Sequence, residues 1–268
     1  MSAEDWALRR PVGRSVFGRD ARGYAAGRPD YPPRVYEVLV ERCGLGPGTG
    51  ALEVGPGTGL VTAHLLDAGA RVVAVEPDPG MAEHLAAAHP GALEIVVSPL
   101  EDAELPEGAF DLAVAATSFH WVDQEPGLRT LGAALRPGGW AAIFWNLYGD
   151  PRHDDDFTTV LGEILGPKIP ADFDEPGRPP FQLDDEHRRR DLTTWAGLDE
   201  VTSELIEWTC PMTAEATRAL YASVAPVLLR PPDEQARVLD AVAAAVRTDF
   251  GGLVERRFLT PLYTGRRV

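Results

Sequence analysis

Cysteine is scarce: Cys43 and Cys210 are the two in 268 residues. A pair so isolated offers neither a disulfide framework nor a metal-ligand spacing, and it fits a reducing compartment. Long apolar runs are missing too. No stretch approaches bilayer-spanning length, and Met1 to Arg10 lacks the apolar centre of a signal peptide. Positive charge is in deficit, with 25 Lys and Arg against 41 Asp and Glu, a net of −16. A surface that acidic repels phosphate backbones and anionic lipid, so it argues against nucleic-acid and membrane partners. Arg188–Arg190 is an example of a local basic run, and it reads as a solvated helix face or turn. The expectation is a soluble, cytoplasmic protein; its oligomeric state leaves no mark on composition.

What remains is an ordinary globular chain, 44% hydrophobic and 25% charged, long enough for one large domain or one domain with an insertion. Its most informative stretch is Ala51-Leu52-Glu53-Val54-Gly55-Pro56-Gly57-Thr58-Gly59. A short apolar run predicts a buried strand that stops at glycines spaced two apart. Val61, Leu65 and Ala68 then step by four and three, which predicts a helix. Strand, glycine turn and helix together bring backbone amides close to a small ligand, and a side chain at the glycines would block the ligand or the turn.

The dinucleotide fingerprint G-x-G-x-x-G is not met, because Leu60 holds its third glycine slot. Glu53 would repel a pyrophosphate, whereas a cationic amino-acid moiety would welcome it. S-adenosylmethionine, with its sulfonium and ammonium groups, suits that carboxylate. Glu53-Val54-Gly55-Pro56-Gly57-Thr58-Gly59 resembles motif I of the class I S-adenosylmethionine-dependent methyltransferases.

Further landmarks agree with that resemblance. A Val-rich strand from Arg71 ends in Glu76, roughly 20 residues past the first glycine, where a carboxylate can accept both ribose hydroxyls. NAD enzymes use the same device, so Glu76 indicates an adenosine ligand without choosing between cofactors. Pro77-Asp78-Pro79 opens a helix holding Met81 and Leu85, and the resemblance puts Pro77 and Met81 at the cofactor. After a third strand, Leu93 to Val97, the family's loop holds the adenine, often through an Asp. Pro99 stands in that place, which leaves Glu101 or Asp102 as the substitute and Leu100 against the ring face.

The fourth strand, Phe110 to Ala116, leads into Thr117-Ser118-Phe119-His120-Trp121-Val122-Asp123. This resembles the Phe-His-Trp-Val-Asp signature of a methyltransferase subgroup grouped with the trans-aconitate and type 11 enzymes. The resemblance puts Thr117 at the cofactor and the tip beside the reactive methyl. Leu128, Leu131 and Leu135 predict a helix, closed by Arg136-Pro137-Gly138-Gly139 before a strand from Trp140 to Trp145. Near the start, Tyr24-x-x-x-Arg28-Pro29 reads either as a lid over the cofactor, as the resemblance implies, or as a leader.

The implied fold is α/β and Rossmann-like: a mostly parallel seven-stranded sheet, helices on both faces and a helical active-site roof. One domain over residues 1–268 is expected. Its core takes about 34–148 and 198–268, its roof about 149–197 and its lid about 1–33. Substrate choice should live in the roof. A strand from Glu200 to Trp208 and a last one from Val254 to Arg267 complete the sheet, with a bulge or break expected at Pro261 because proline cannot donate to a ladder. His153 and His187 stand beside acids without coherent ligand spacing, so no metal is expected.

The expected reaction is in-line transfer of a methyl group to a small-molecule acceptor, oxygen first, with nitrogen or carbon open. Positioning supplies most of its acceleration, and no nucleophile triad is needed. His120 is the candidate base for a hydroxyl acceptor, or else a wall residue that orients substrate. Trp121 and Trp145 are expected to pack nearby. Two alternatives stand beside this reading: an NAD(P)-dependent oxidoreductase, and a non-catalytic S-adenosylmethionine-binding protein.

Overall fold

A computed structural model describes residues 27–153, 155–166, 174–175 and 177–268. Two compact units divide the chain. The larger comprises the described residues of Tyr31–Asn146, Phe173–Ile206 and Thr260–Val268; the smaller comprises those of 1–30, Leu147–Asp172 and Glu207–Leu259.

The larger unit begins with α1 (Pro33–Glu41), whose proline sits in the first turn, where no amide is needed. β1 (Gly50–Val54), α2 (Leu60–Asp67), β2 (Arg71–Val75), α3 (Pro79–Ala88) and β3 (Leu93–Val96) follow in alternation. β4 (Phe110–Ala116), α4 (Gln124–Ala134) and β5 (Leu135–Phe144) continue the pattern. Asp78 caps α3 by accepting from the amides of Gly80 (2.8 Å) and Met81 (3.2 Å).

The strands order as β3-β2-β1-β4-β5, all parallel, and β8 (Leu253–Arg267) adds antiparallel to β5. Strand residues alternate between two cores. Leu52, Ala113, Ala115 and Ile143 join Leu128, Leu131 and Leu192 on one side. Ala51, Leu112, Val114 and Phe144 join Val35, Leu39 and Leu65 on the other. Helices therefore cover both faces, as the near-continuous apolar strands require.

Several expectations about this sheet change in detail. Among the described residues the sheet has eight strands, the addition being the two-residue β6 (Leu147–Tyr148). Leu135 belongs to β5 and not to α4: it pairs with Phe110, and Arg136–Gly139 bulge out before Trp140 pairs with Leu112. β8 itself runs through Pro261, while its neighbour lapses: β5 ends at Phe144, opposite Leu262. The Trp145 amide still donates to the Pro261 carbonyl (3.3 Å), the half of the ladder that proline retains.

The stretch expected as a roof is divided between the units. Its second helix, α6 (Asp185–Thr194), lies in the larger one and contributes Leu192 to the core there. Its first, α5 (Asp156–Leu165), lies in the smaller one with α7 (Ala214–Ala222), α8 (Ala225–Leu228) and α9 (Pro232–Asp249). Phe157, Leu161, Leu220, Val242 and Val246 form the smaller unit's core. β7 (Leu198–Thr213) pairs with β8 and, like it, passes through both units.

Candidate active site

The site is built on the turn after β1. Gly55, Gly57 and Gly59 take φ of +64°, +59° and +88°, the left-handed region that glycine enters at no steric cost. Two of them are also packed against neighbours. A Cβ at Gly55 would lie 2.6 Å from Ser118 Cβ, and one at Gly59 would lie 2.7 Å from Leu85 Cδ1. At Gly57 a Cβ would meet nothing within 4 Å among the described residues, none of which keeps a ligand from that backbone.

Glu76, at the end of β2, closes this turn. Its Oε2 accepts from the Gly57 amide and its Oε1 from the Asp78 amide, each at 3.0 Å. Glu53 sits one strand over, buried, and its Oε2 accepts the Thr62 hydroxyl at 2.6 Å. The other Glu53 oxygen is buried without a hydrogen-bond partner among the described residues. Desolvation pushes both carboxyls up to about 7, and the Glu76 charge adds to the rise at Glu53.

β4 supplies the opposite wall. Thr117, at its end, has φ +52°, unusual for a β-branched residue. Its hydroxyl shares a hydrogen bond with the Tyr31 hydroxyl (2.6 Å) and accepts from the Asn146 amide (3.2 Å), contacts that hold the conformation. Ser118 donates to the Val54 carbonyl at 2.5 Å, tying the β4 tip to the end of β1. His120 is buried, and its Nδ1 accepts from the indole N–H of Trp145 at 3.0 Å; Trp121 lies tilted against the ring, centroids 4.8 Å apart.

The remaining expected residues are spread more widely. Pro77 is half-buried and Met81 fully buried beside the Glu76 turn. Leu100 and Glu101 lie in a short 3-10 turn, Leu100–Asp102; Leu100 is 2% exposed and packed in the core cluster of Val122 and Leu128. Tyr24 lies outside the described residues. Arg28 is in the smaller unit, where its guanidinium donates to the Ser223 hydroxyl (2.9 Å), the Ser223 carbonyl (2.8 Å) and the Tyr148 hydroxyl.

The arginine run is not simply a solvated face. Arg188 lies 3.7 Å over the Phe181 ring and pairs with Asp191 at 2.9 Å, while Arg189 and Arg190 are exposed. His153 and His187 each bond the aspartate three residues earlier, Asp150 at 2.9 Å and Asp184 at 2.8 Å. Sequence reasoning missed Thr62 and the tie of Ser118 to the Val54 carbonyl. Thr62 stands in the first turn of α2, a place from which a hydroxyl can reach back to the strand end.

An adenosine with a cationic tail fits these residues. A paired acid sits at the second strand tip, an orphaned buried oxygen belongs to Glu53, and the backbone at Gly57 is open. Residues 52–143 match the family described as a methyltransferase domain. An uncharacterized methyltransferase of Mycobacterium tuberculosis is 28% identical over 232 residues, covering 87% of this chain and 86% of that protein. A solved structure from Anaeromyxobacter dehalogenans, named provisionally as a type II methyltransferase, superposes with a TM-score of 0.61 at 24% identity. It covers 90% of this chain and 98% of its own. Haemonchus contortus phosphoethanolamine N-methyltransferase 2, solved with S-adenosylhomocysteine, superposes at 0.57 with 12% identity, over all of this chain and 60% of its own. Residues 52–143 thus form the methyltransferase domain of an S-adenosylmethionine-dependent enzyme.

Proposed function

We propose that the chain moves a methyl group to a small-molecule acceptor in the cytoplasm, oxygen being the first choice of acceptor atom and nitrogen or carbon the next. The observation that carries this reading is the shared Glu76 carboxylate beneath the open Gly57 backbone, with Glu53 buried alongside. In it Glu76 accepts the ribose hydroxyls, Glu53 faces the cationic tail, and Thr117 and Met81 line the pocket. S-adenosylmethionine supplies a methyl group on a sulfonium that leaves as a neutral thioether. The protein's work is to hold the acceptor's lone pair in line with that methyl and keep water away. The proton of a hydroxyl acceptor passes to solvent or to a side chain.

The net charge of −16 supports a small acceptor over a nucleic acid. Residues 149–197 are the proposed seat of acceptor choice, and the chain from 1 to 268 is proposed to act as one enzyme. Calorimetry with S-adenosylmethionine, its demethylated product and NAD in parallel tests the cofactor. Labelled methyl transfer to pools of carboxylates, phenols, amines and structured RNA tests the acceptor. Binding of NAD alone would favour the oxidoreductase, and binding without transfer to any pool the non-catalytic reading.

A further inference from the structure

We propose that Trp145 is a positioning residue that holds His120 in the tautomer with its proton on Nε2, making that ring a hydrogen-bond donor and not a base. The Trp145 indole nitrogen lies 3.0 Å from His120 Nδ1, and both residues are buried. An indole N–H only donates, so Nδ1 is the acceptor and carries no proton. A neutral imidazole has one ring proton, which therefore sits on Nε2.

The indole is itself fixed. Trp145 is 1% exposed, and its ring meets Phe181 and Tyr263 edge-on, centroids 6.0 and 6.1 Å apart. Tyr263 is pinned in turn, its hydroxyl donating to the Gln182 carbonyl at 3.0 Å. A close-packed indole has no room to follow a turning imidazole, so the direction of its N–H selects one tautomer. At the tip of β4, an imidazole with Nε2–H is a donor at that nitrogen and has no lone pair there to take a hydroxyl proton. The donor role rests on the methyltransferase reading; the tautomer rests on the Trp145–His120 geometry alone.

Two-bond proton–nitrogen correlation spectra of the full-length ¹⁵N-labelled protein test it, with the His120 signals assigned by their loss in His120→Gln. The expected result is a pyridine-type Nδ1 and a pyrrole-type Nε2 in the native protein, giving way to a mixture of tautomers in Trp145→Phe. A pyrrole-type Nδ1 in the native protein overturns the proposal, and so does a folded Trp145→Phe that keeps the pure Nε2–H form. If the Phe variant does not fold, the native protein still decides. A scalar coupling across the hydrogen bond, from the indole N–H to His120 Nδ1, supports the proposal, and an indole proton that exchanges as freely as an exposed one sinks it. Cofactor calorimetry on the same native sample separates the two readings: no binding removes the methyltransferase role and leaves the tautomer standing.

Discussion

The Gly57 amide donates to Oε2 of Glu76 at 3.0 Å, while the Asp78 amide donates to Oε1 of the same carboxylate at the same distance. One side chain thus ties the turn after β1 to the turn after β2. These strands are neighbours in parallel register, Val54 opposite Val75, so their ends open on one side of the sheet. Ligands of open α/β sheets bind at that edge.

Replacing Glu76 with Gln keeps an oxygen for one of the two amides and removes the charge that a ribose would use. S-adenosylmethionine affinity should fall about 10- to 100-fold, the size expected for hydrogen bonds to a charged group. Isothermal calorimetry measures it, and an unchanged Kd would remove Glu76 from the cofactor site.

The glycines should separate folding from binding. Gly55→Ala meets Ser118 at 2.6 Å and should lower the melting temperature markedly. Gly57→Ala meets no described residue and bears the cost of its positive φ, about 1–2 kcal/mol. Its folding loss should be small and its loss of cofactor binding large. A Gly57→Ala protein that binds as tightly as the native one would mean the ligand does not approach that backbone.

Stability should depend on pH in a direction unusual for carboxylates. Burial raises Glu53 and Glu76 from 4.5 to about 7, so between those values the native state holds more protons than the unfolded chain. Stability then falls as pH climbs from about 4.5 to about 7, and these groups add no slope above that. Glu53→Gln removes one contributor, so melting temperatures taken from pH 5 to 7.5 should decline less steeply than in the native protein. An equal or steeper decline counts against the argument. Because a cation favours the ionised acids, S-adenosylmethionine binding near pH 6.5 should also release protons, read by calorimetry in buffers of differing ionisation enthalpy.

Arg256 is 1% exposed in the smaller unit; among the described residues its Nε and Nη1 make no hydrogen bond, while Nη2 donates at long range to the Tyr148 carbonyl (3.5 Å) and the Tyr221 hydroxyl (3.4 Å). Asp155 stands 3.7 Å from Nη1, and the Phe157 ring lies 4.7 Å below the guanidinium. Contacts as long as these return less than the cost of burying the charge. Arg256→Met should therefore be neutral or stabilising in urea denaturation; a loss above about 3 kcal/mol would show the guanidinium to be properly paired.

The parts that sequence reading reached are those whose physics is local. The glycine turn needs positive φ at Gly55, Gly57 and Gly59, and only a few neighbours decide that. Glu76 follows a Val-rich strand at a fixed remove. Pro261 declares its own defect in the ladder, although the structure puts the lapse in the neighbouring strand. The burial of Leu100 was not legible, since nothing nearby in the chain says that it will share a core cluster with Val122 and Leu128. The stretch after β5 escaped as well: its helices were legible from their periodicity, but their division between two units depends on which distant core accepts each.

The chain's own order of residues determined the alternation of strand and helix, the glycine turn and the two acids at the strand ends, because periodicity, backbone sterics and charge act over a few residues. Only the tertiary structure decided that Thr62 partners Glu53 and that Trp145 faces His120. Those contacts depend on how α2 returns over the strand end and on the pairing of Ala116 with Phe144 across β4 and β5. Hydrogen bonds form between atoms brought within about 3 Å, and no spacing along a chain guarantees that.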